Sequence, residues 1–264
     1  MTGARPDDRP GRLEVLPVRV PGEVSGPVAA LVCGNADLRD GDVVVVSQKA
    51  VSKSEGRVVL LSDVSPSPLA EGIASEYGKD PRIVELALSE SRRIVRMARG
   101  TLIMETRSGI ICANAGVDES NAGEGRAVLL PEDPDASARR IAEQILEISG
   151  ARVAVLVSDT FGRAFRVGQT DCAIGVHGIP PVLEYAGERD ADGRELRVTA
   201  VALADEVCGA AEIVMGKSLG IPAAVVRGLR MRGGGGAGLL LRPNDEDLFC
   251  GPPPDGMAGR PGRH

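Results

Sequence analysis

Five apolar residues at positions 153–157, VAVLV, run straight into Ser158, Asp159 and Thr160, and that junction constrains the fold more than any other stretch. The run is too short for a typical helix and rich in Val, so it predicts a buried strand. Ser158-Asp159-Thr160, then Gly162-Arg163, predicts where the strand stops. An acid beside a hydroxyl at the carboxyl end of a buried strand stands where open α/β sheets bind ligands. Asp159 cannot share the strand's apolar surroundings unpaired, because an unpartnered buried carboxylate is costly. A hard cation such as Mg²⁺ would satisfy it, with Thr160 adding a second oxygen. Arg163, Arg166, Gln169 and Asp171 follow, a set suited to a phosphate or a carboxylate. The competing reading is a capped turn with a solvated arginine pair.

With 264 residues the chain is long enough for one large domain or two small ones with a true core. A net charge of -6 without any compensating basic run argues against a nucleic-acid surface. No stretch reaches the apolar length needed to span a bilayer, and residues 1–12 lack the apolar core of a signal peptide. The five cysteines are widely spaced, contain no CxxC pair, and cannot build a zinc site with the two histidines, His177 and His264. A soluble, reduced, cytoplasmic protein is the expectation. Residues 1–12 read as a disordered leader, 13–249 as the working domain and 250–264 as a disordered tail.

Strands are predicted at 13–18, 43–46, 101–106, 110–114, 153–157, 173–176, 196–200 and 221–227. Helices are predicted at 27–33, 67–77, 81–97, 135–149 and 201–215. The pair 101–106 and 110–114 reads as a hairpin about Arg107-Ser108-Gly109. Helices mixed with a hairpin imply an α/β class with mixed sheets instead of a purely parallel one. Two polar stretches follow strand ends. One spans 47–57, with Lys49, Lys53 and Arg57, and reads either as solvated loop or as the cationic wall of a nucleotide site. The other, 115–123, carries Asp118, which is either the partner carboxylate of a metal site or an ordinary Asx turn.

Some tempting motifs fail. Met215-Gly216-Lys217-Ser218 mimics the end of a phosphate-binding P-loop, but the pattern needs Gly where Ala211 stands, and the segment follows a helix. The tract 233–236 is all glycine with no strand-to-helix context, so it reads as flexible loop. Cys172 has Asp171 beside it and no base nearby except His177, a poor basis for a thiol nucleophile.

Taken together, SxKA, SKSEGR, AGVDESN, SDTFGR and ADE with the later MGK and IPAAVVRG resemble the coenzyme F420-0:L-glutamate ligase family, over roughly residues 13–249. The resemblance implies a two-lobed α/β fold and a homodimer with intertwined sheets. It implies a stand-alone ligase, without the nitroreductase-like domain fused to similar actinobacterial ligases. The implied reaction joins L-glutamate to the deazaflavin coenzyme precursor through an acyl phosphate, using GTP, Mg²⁺ or Mn²⁺, and potassium. By position it implies metal ligands at Asp118 and Asp159, with Thr160 on a second metal. Guanine-nucleotide contacts would fall on Pro21, Gly22, Glu23, Val24, Gln48, Lys53, Asn121, Gly216, Lys217 and the rest of 216–222. Lys53 would offset phosphate charge, and Arg163 with Arg166 would hold the precursor's phosphodiester or glutamate carboxylates. Two positions depart from the family: Gln48 stands where Ser is common, and Lys217 where archaeal-type members carry an acidic second-metal ligand. The runners-up are another metal- and nucleotide-dependent transferase or phosphohydrolase, and a non-catalytic deazaflavin-binding protein.

Overall fold

The computed structural model describes residues 12–21, 26–120, 122–196, 199–229, 233–243 and 246. In chain order the elements are β1 (Glu14–Val18), α1 (Val28–Asn35), β2 (Val43–Ser47), α2 (Gln48–Ser54), β3 (Val58–Leu60), α3 (Pro68–Tyr77), α4 (Pro81–Ser89), β4 (Ser91–Ala98), β5 (Thr101–Thr106) and β6 (Ile111–Ala113). There follow β7 (Arg126–Val128), α5 (Pro134–Ser149), β8 (Ala154–Arg163), β9 (Arg166–His177), β10 (Leu183–Glu184), β11 (Ala200–Val201), α6 (Leu203–Met215) and β12 (Ala223–Arg227). This is the mixed α/β class the sequence predicts, and no helix among the described residues is long and apolar enough to cross a membrane.

The largest sheet runs β1-β12-β2-β8-β9, and β2–β8 is its one parallel pair. Its central strands are continuous Val runs because both faces are covered. Val44, Val46, Val155 and Val157 pack with α1 and α5 on one face. Val43, Val45, Leu156 and Val226 pack against α6 on the other. Each such Val, wholly out of water, contributes at least about 1.5 kcal/mol. A separate core lies where α3 and α4 cover the antiparallel sheet β4-β5-β6, with Ile73, Val84, Leu102 and Met104 at its centre.

The helices are delimited by local chemistry. Ser67, Asp80 and Asp133 accept an amide from the first turns of α3, α4 and α5, and each is followed by Pro at the first helical position. Gly78 and Gly150 close α3 and α5 in the left-handed conformation.

Four expectations need correction. The helix expected over 81–97 ends at Ser89, and Ser91–Ala98 is a strand paired with β5. The 83, 86, 87 periodicity belongs to α4 alone, while β-branched Ile94 and Val95 suit the sheet edge beside β5. The strand expected to stop at Val157 continues to Arg163, because β9, 12 residues long instead of 4, satisfies its backbone. The polar stretch after β2 is the helix α2, capped by Ser47. Of the strand expected at 196–200, only Ala200 lies in β11, and 197–198 lie outside the described residues.

Candidate functional site

In the parallel pair β2–β8, Ser47 lies beside Ser158. There the two strands part. β2 turns into α2, while β8 runs on with β9 as a two-stranded ribbon pairing Asp159 with Cys172 and Thr160 with Asp171. A cleft of about 620 Å³ opens at this split, at the carboxyl end of the parallel pair, where ligands settle in open α/β sheets. Its walls are α2, the ribbon, the Asp118 loop, and the segment after α6.

Gln48, Lys53, Asp118, Asp159, Thr160, Gly216 and Lys217 all line this cleft. Gln48 is buried, and its amide donates to Ser52 Oγ (2.9 Å) and the Leu129 carbonyl (3.1 Å), tying α2 to the chain beyond β7. Lys53 is half-buried with no ion pair within 4 Å among the described residues. Pro21 does not line the cleft. Gly22, Glu23, Val24 and Asn121 lie outside the described residues. Arg163 is at the far tip of the ribbon, where its guanidinium donates to the carbonyls of Val167 (2.7 Å) and Gly168 (3.2 Å). It closes its own turn, outside this cleft, and Arg166 pairs with it across the tip.

Asp118 arrives from the second core. Its backbone bridges Val128 in both directions, at 3.0 and 2.8 Å. The side chain accepts the Ser120 amide (2.7 Å) and hydroxyl (2.9 Å), so the Asx turn is real. It also pairs with Lys49 Nζ at 2.7 Å. Burial pushes this carboxyl up, but Lys49 and the two Ser120 donors outweigh it and hold it below the usual range. Asp159 goes the other way: burial raises it to about 6, with the Asp171 and Asp118 charges adding, against relief from the Thr160 amide and Lys217. Two carboxylates on one cleft with opposed shifts mark it as a functional candidate.

Three further residues belong to the site, and of these only Glu212 is unmarked in the sequence. Lys49 is one helical turn before Lys53, a spacing that becomes informative once 48–54 is read as helix. Asp171, 4% exposed, accepts the hydroxyls of Ser158 (2.8 Å) and Thr160 (2.5 Å); sequence reading grouped it with the arginines as a phosphate binder. Glu212 on the last turn of α6 carried no local signal; burial first, then the Asp171 charge, raises its carboxyl. Lys217 Nζ donates to Thr160 Oγ1 and lies 3.4 Å from Asp171 and 3.6 Å from Glu212. Thr160's hydroxyl is thereby engaged on both sides, as donor to Asp171 and acceptor from Lys217.

Among the described residues, no three His, Cys, Asp or Glu side chains converge as a ready metal cage. Mg²⁺ rarely uses one; it takes one or two carboxylates together with substrate phosphates and water. Asp118 and Asp159 fit that pattern. Burial, with the Asp159 charge, pushes the Cys112 thiol up to about 12, and burial with nearby acids does the same to Cys172, so neither offers a thiolate.

The family model for F420-0:Gamma-glutamyl ligase matches residues 25–228. The chain is similar to the Coenzyme F420:L-glutamate ligase of Methanothermobacter thermautotrophicus, 46% identical over 228 residues, covering 85% of this chain and 90% of the relative. The protein of that name from Methanopyrus kandleri is 43% identical over 244 residues, covering 90% and 97%. That from Methanocaldococcus jannaschii is 43% identical over 214 residues, covering 80% and 86%.

Proposed function

The chain belongs to the F420-0:gamma-glutamyl ligase family, and from that premise we propose that it joins L-glutamate to the deazaflavin precursor F420-0 at the expense of GTP. The observation that carries this reading is one cleft where Asp118, from the loop bridged to β7, and Asp159, from β8, meet three lysines, Lys49, Lys53 and Lys217, with Asp171 and Glu212 also in the lining. That lining suits a polyphosphate with its counter-ion better than any neutral substrate.

An amide bond between a carboxylate and an amine needs the carboxylate activated. In this reading a precursor carboxylate oxygen attacks the γ-phosphorus, the bond to the β-phosphate oxygen breaks, and GDP leaves. Glutamate's neutral amine then attacks the acyl carbon, the C–N bond forms, the C–O bond to phosphate breaks, and the amine's extra proton passes to water. Such phosphoryl transfer asks little covalent work of the protein; positioning and charge stabilisation dominate. Asp118 and Asp159 would hold a divalent ion, Mg²⁺ or Mn²⁺, which when bound neutralises phosphate charge. Lys53, half-buried without an acidic partner among the described residues, would meet a phosphate. Lys49 keeps Asp118 ionised.

At Thr160 the donor set is already served by the Lys217 ammonium, with Asp171 and Glu212 as its counter-charges. The reading is therefore one divalent ion per chain with the nucleotide. A Mn²⁺ titration in the presence of GDP is expected to saturate near one equivalent, and two equivalents would overturn the assignment of Lys217. Potassium belongs to the same reading, and substituting sodium in the assay tests it.

We place a homodimer in this reading too. Phe165 and Val167 at the ribbon tip are 79% and 95% exposed, and Ile213 on α6, which packs on β9, is 83% exposed. Large apolar side chains so exposed fit burial against a second copy. Val167→Asp is expected to shift the light-scattering mass from twice 27.4 kDa to 27.4 kDa. An unshifted wild-type monomer would remove the dimer.

Mass spectrometry of F420-0 incubated with L-glutamate, Mn²⁺ and either GTP or ATP tests the whole. Glutamyl mass additions with GDP released are expected. Nucleotide consumption without addition would point to another acceptor, and binding of the deazaflavin without turnover would favour a carrier.

A further inference from the structure

Next to Asp118, with no β8 residue in its lining, a second pocket of about 350 Å³ lies between the α3–α4 turn and the turn at Asn114–Gly116. It shares Asp118 with the large cleft and includes Lys79, Asp80, Asn114 and Glu119. Its wall is unusual. Asn114 and Ala115 both hold positive φ, 51° and 52°. Two consecutive non-glycine residues in that region cost on the order of 1 kcal/mol or more each, and such outliers gather at ligand sites. Here they aim the Asn114 amide oxygen at Lys79 Nζ, 3.4 Å away.

The charges lining the pocket can be paired off. Asp80 is held by the Arg82 fork at 3.0 and 2.6 Å, and Asp118 by Lys49 at 2.7 Å. Lys79 is half-buried and Glu119 exposed, and neither has an ion pair within 4 Å among the described residues. Lys79 and Glu119 are thus the cation and the anion of this lining without an ion pair among the described residues, in a space large enough for an amino acid.

We propose that this pocket binds the incoming amino acid, with the α-carboxylate on Lys79 and the amino group toward Glu119. The proposal rests on the ligase reading, because an amino acid has a use here only if its ammonium gives a proton to water at the cleft edge and the neutral amine becomes the nucleophile. The shared Asp118 wall would bring that amine to the edge of the cleft in which the acyl phosphate forms. Neither member of the ribbon-tip arginine pair, Arg163 and Arg166, lines this pocket or the cleft.

The test is L-glutamate binding to the full chain with GDP and Mg²⁺, followed by saturation-transfer NMR and titration calorimetry. Lys79→Met is expected to weaken glutamate binding at least tenfold while GDP affinity stays within twofold, and Lys79→Arg to recover part of the loss. In ligation assays the same variant is expected to raise KM for glutamate and leave KM for GTP unchanged. Wild-type glutamate binding in the variant, parallel loss of GDP binding, or no glutamate binding by the wild type would each overturn the proposal. Since binding is read without turnover, a wild type that binds glutamate and never ligates would sink the ligase reading and leave the pocket standing.

Discussion

Asp159→Asn is expected to lose ligation by on the order of 10³-fold and, in the metal-free protein, to melt above the wild type at pH 8. The two halves of this result have one cause. Burial raises the Asp159 carboxyl from 3.8 to about 6, so the folded chain holds this proton more tightly than the unfolded chain does. Where the folded state binds more protons, stability falls as pH rises. The penalty therefore grows between about pH 4 and pH 6 and is fully present above that range. A shift of this size corresponds to on the order of 2–3 kcal/mol. For a chain of this length that is several degrees of melting temperature, roughly 2–4 °C per kcal/mol. Asparagine removes the charge and keeps the shape, so the variant loses this part of the pH slope. Melting scans in chelator at pH 5 and pH 8 read it. A variant that melts below the wild type at pH 8 would make Asp159 a structural residue. Asp118→Asn supplies the opposite sign. Its carboxyl is held below the ordinary range, so its stabilisation is present at neutral pH and lost on acidification.

Elements whose determinants are local were legible. The Val runs of β2, β8 and β12 announce strands buried on both faces, and Ser67 and Asp80, each followed by Pro, announce where α3 and α4 begin, whereas α5 starts at Pro134 under an Asp133 cap, ahead of the Asp135 cap its sequence suggests. What failed depended on partners far away in sequence. Thr160 to Arg163 looks like a turn until β9 supplies a partner strand for it. β4 looks like a continued helix until β5 pairs with it. The site followed the same rule. Asp118 and Asp159 each stood out beside an apolar run, and it takes the packing of α2 between the two cores to put them on one cleft. Arg163 stood out for the same local reason, yet the extended ribbon carries it to the tip and away from the cleft. Lys217 shows chemistry that no motif could have supplied: its meaning lies in Thr160, Asp171 and Glu212, drawn from three other elements.

Gly175→Ala is expected to be strongly destabilising, costing about 3 kcal/mol or more. Gly175 sits in β9 opposite Val157, next to the register shift that begins the ribbon. A Cβ there would lie 2.3 Å from the Pro134 carbonyl oxygen and 2.5 Å from its carbon. The obstacle is backbone at the first turn of α5, and that turn is pinned. Asp133 caps it, and Asp135 accepts the amides of Val176 (2.7 Å) and Ala237 (3.0 Å). Relief would require α5 to lift from the sheet and break the Asp135–Val176 bond one residue away. The contrast is with Gly78 and Gly150, which have positive φ, 65° and 76°, but open space around the missing Cβ. Alanine there meets only the left-handed penalty, about 1 kcal/mol. A urea midpoint much lower at Gly175→Ala than at Gly150→Ala, with unchanged slope, is the expected result. Equal midpoints would mean that α5 yields easily. Because β9 also carries Asp171 into the cleft four residues upstream, a yielding α5 is the only way Gly175→Ala could spare both the fold and the Ser158 and Thr160 hydroxyls anchored on that carboxylate.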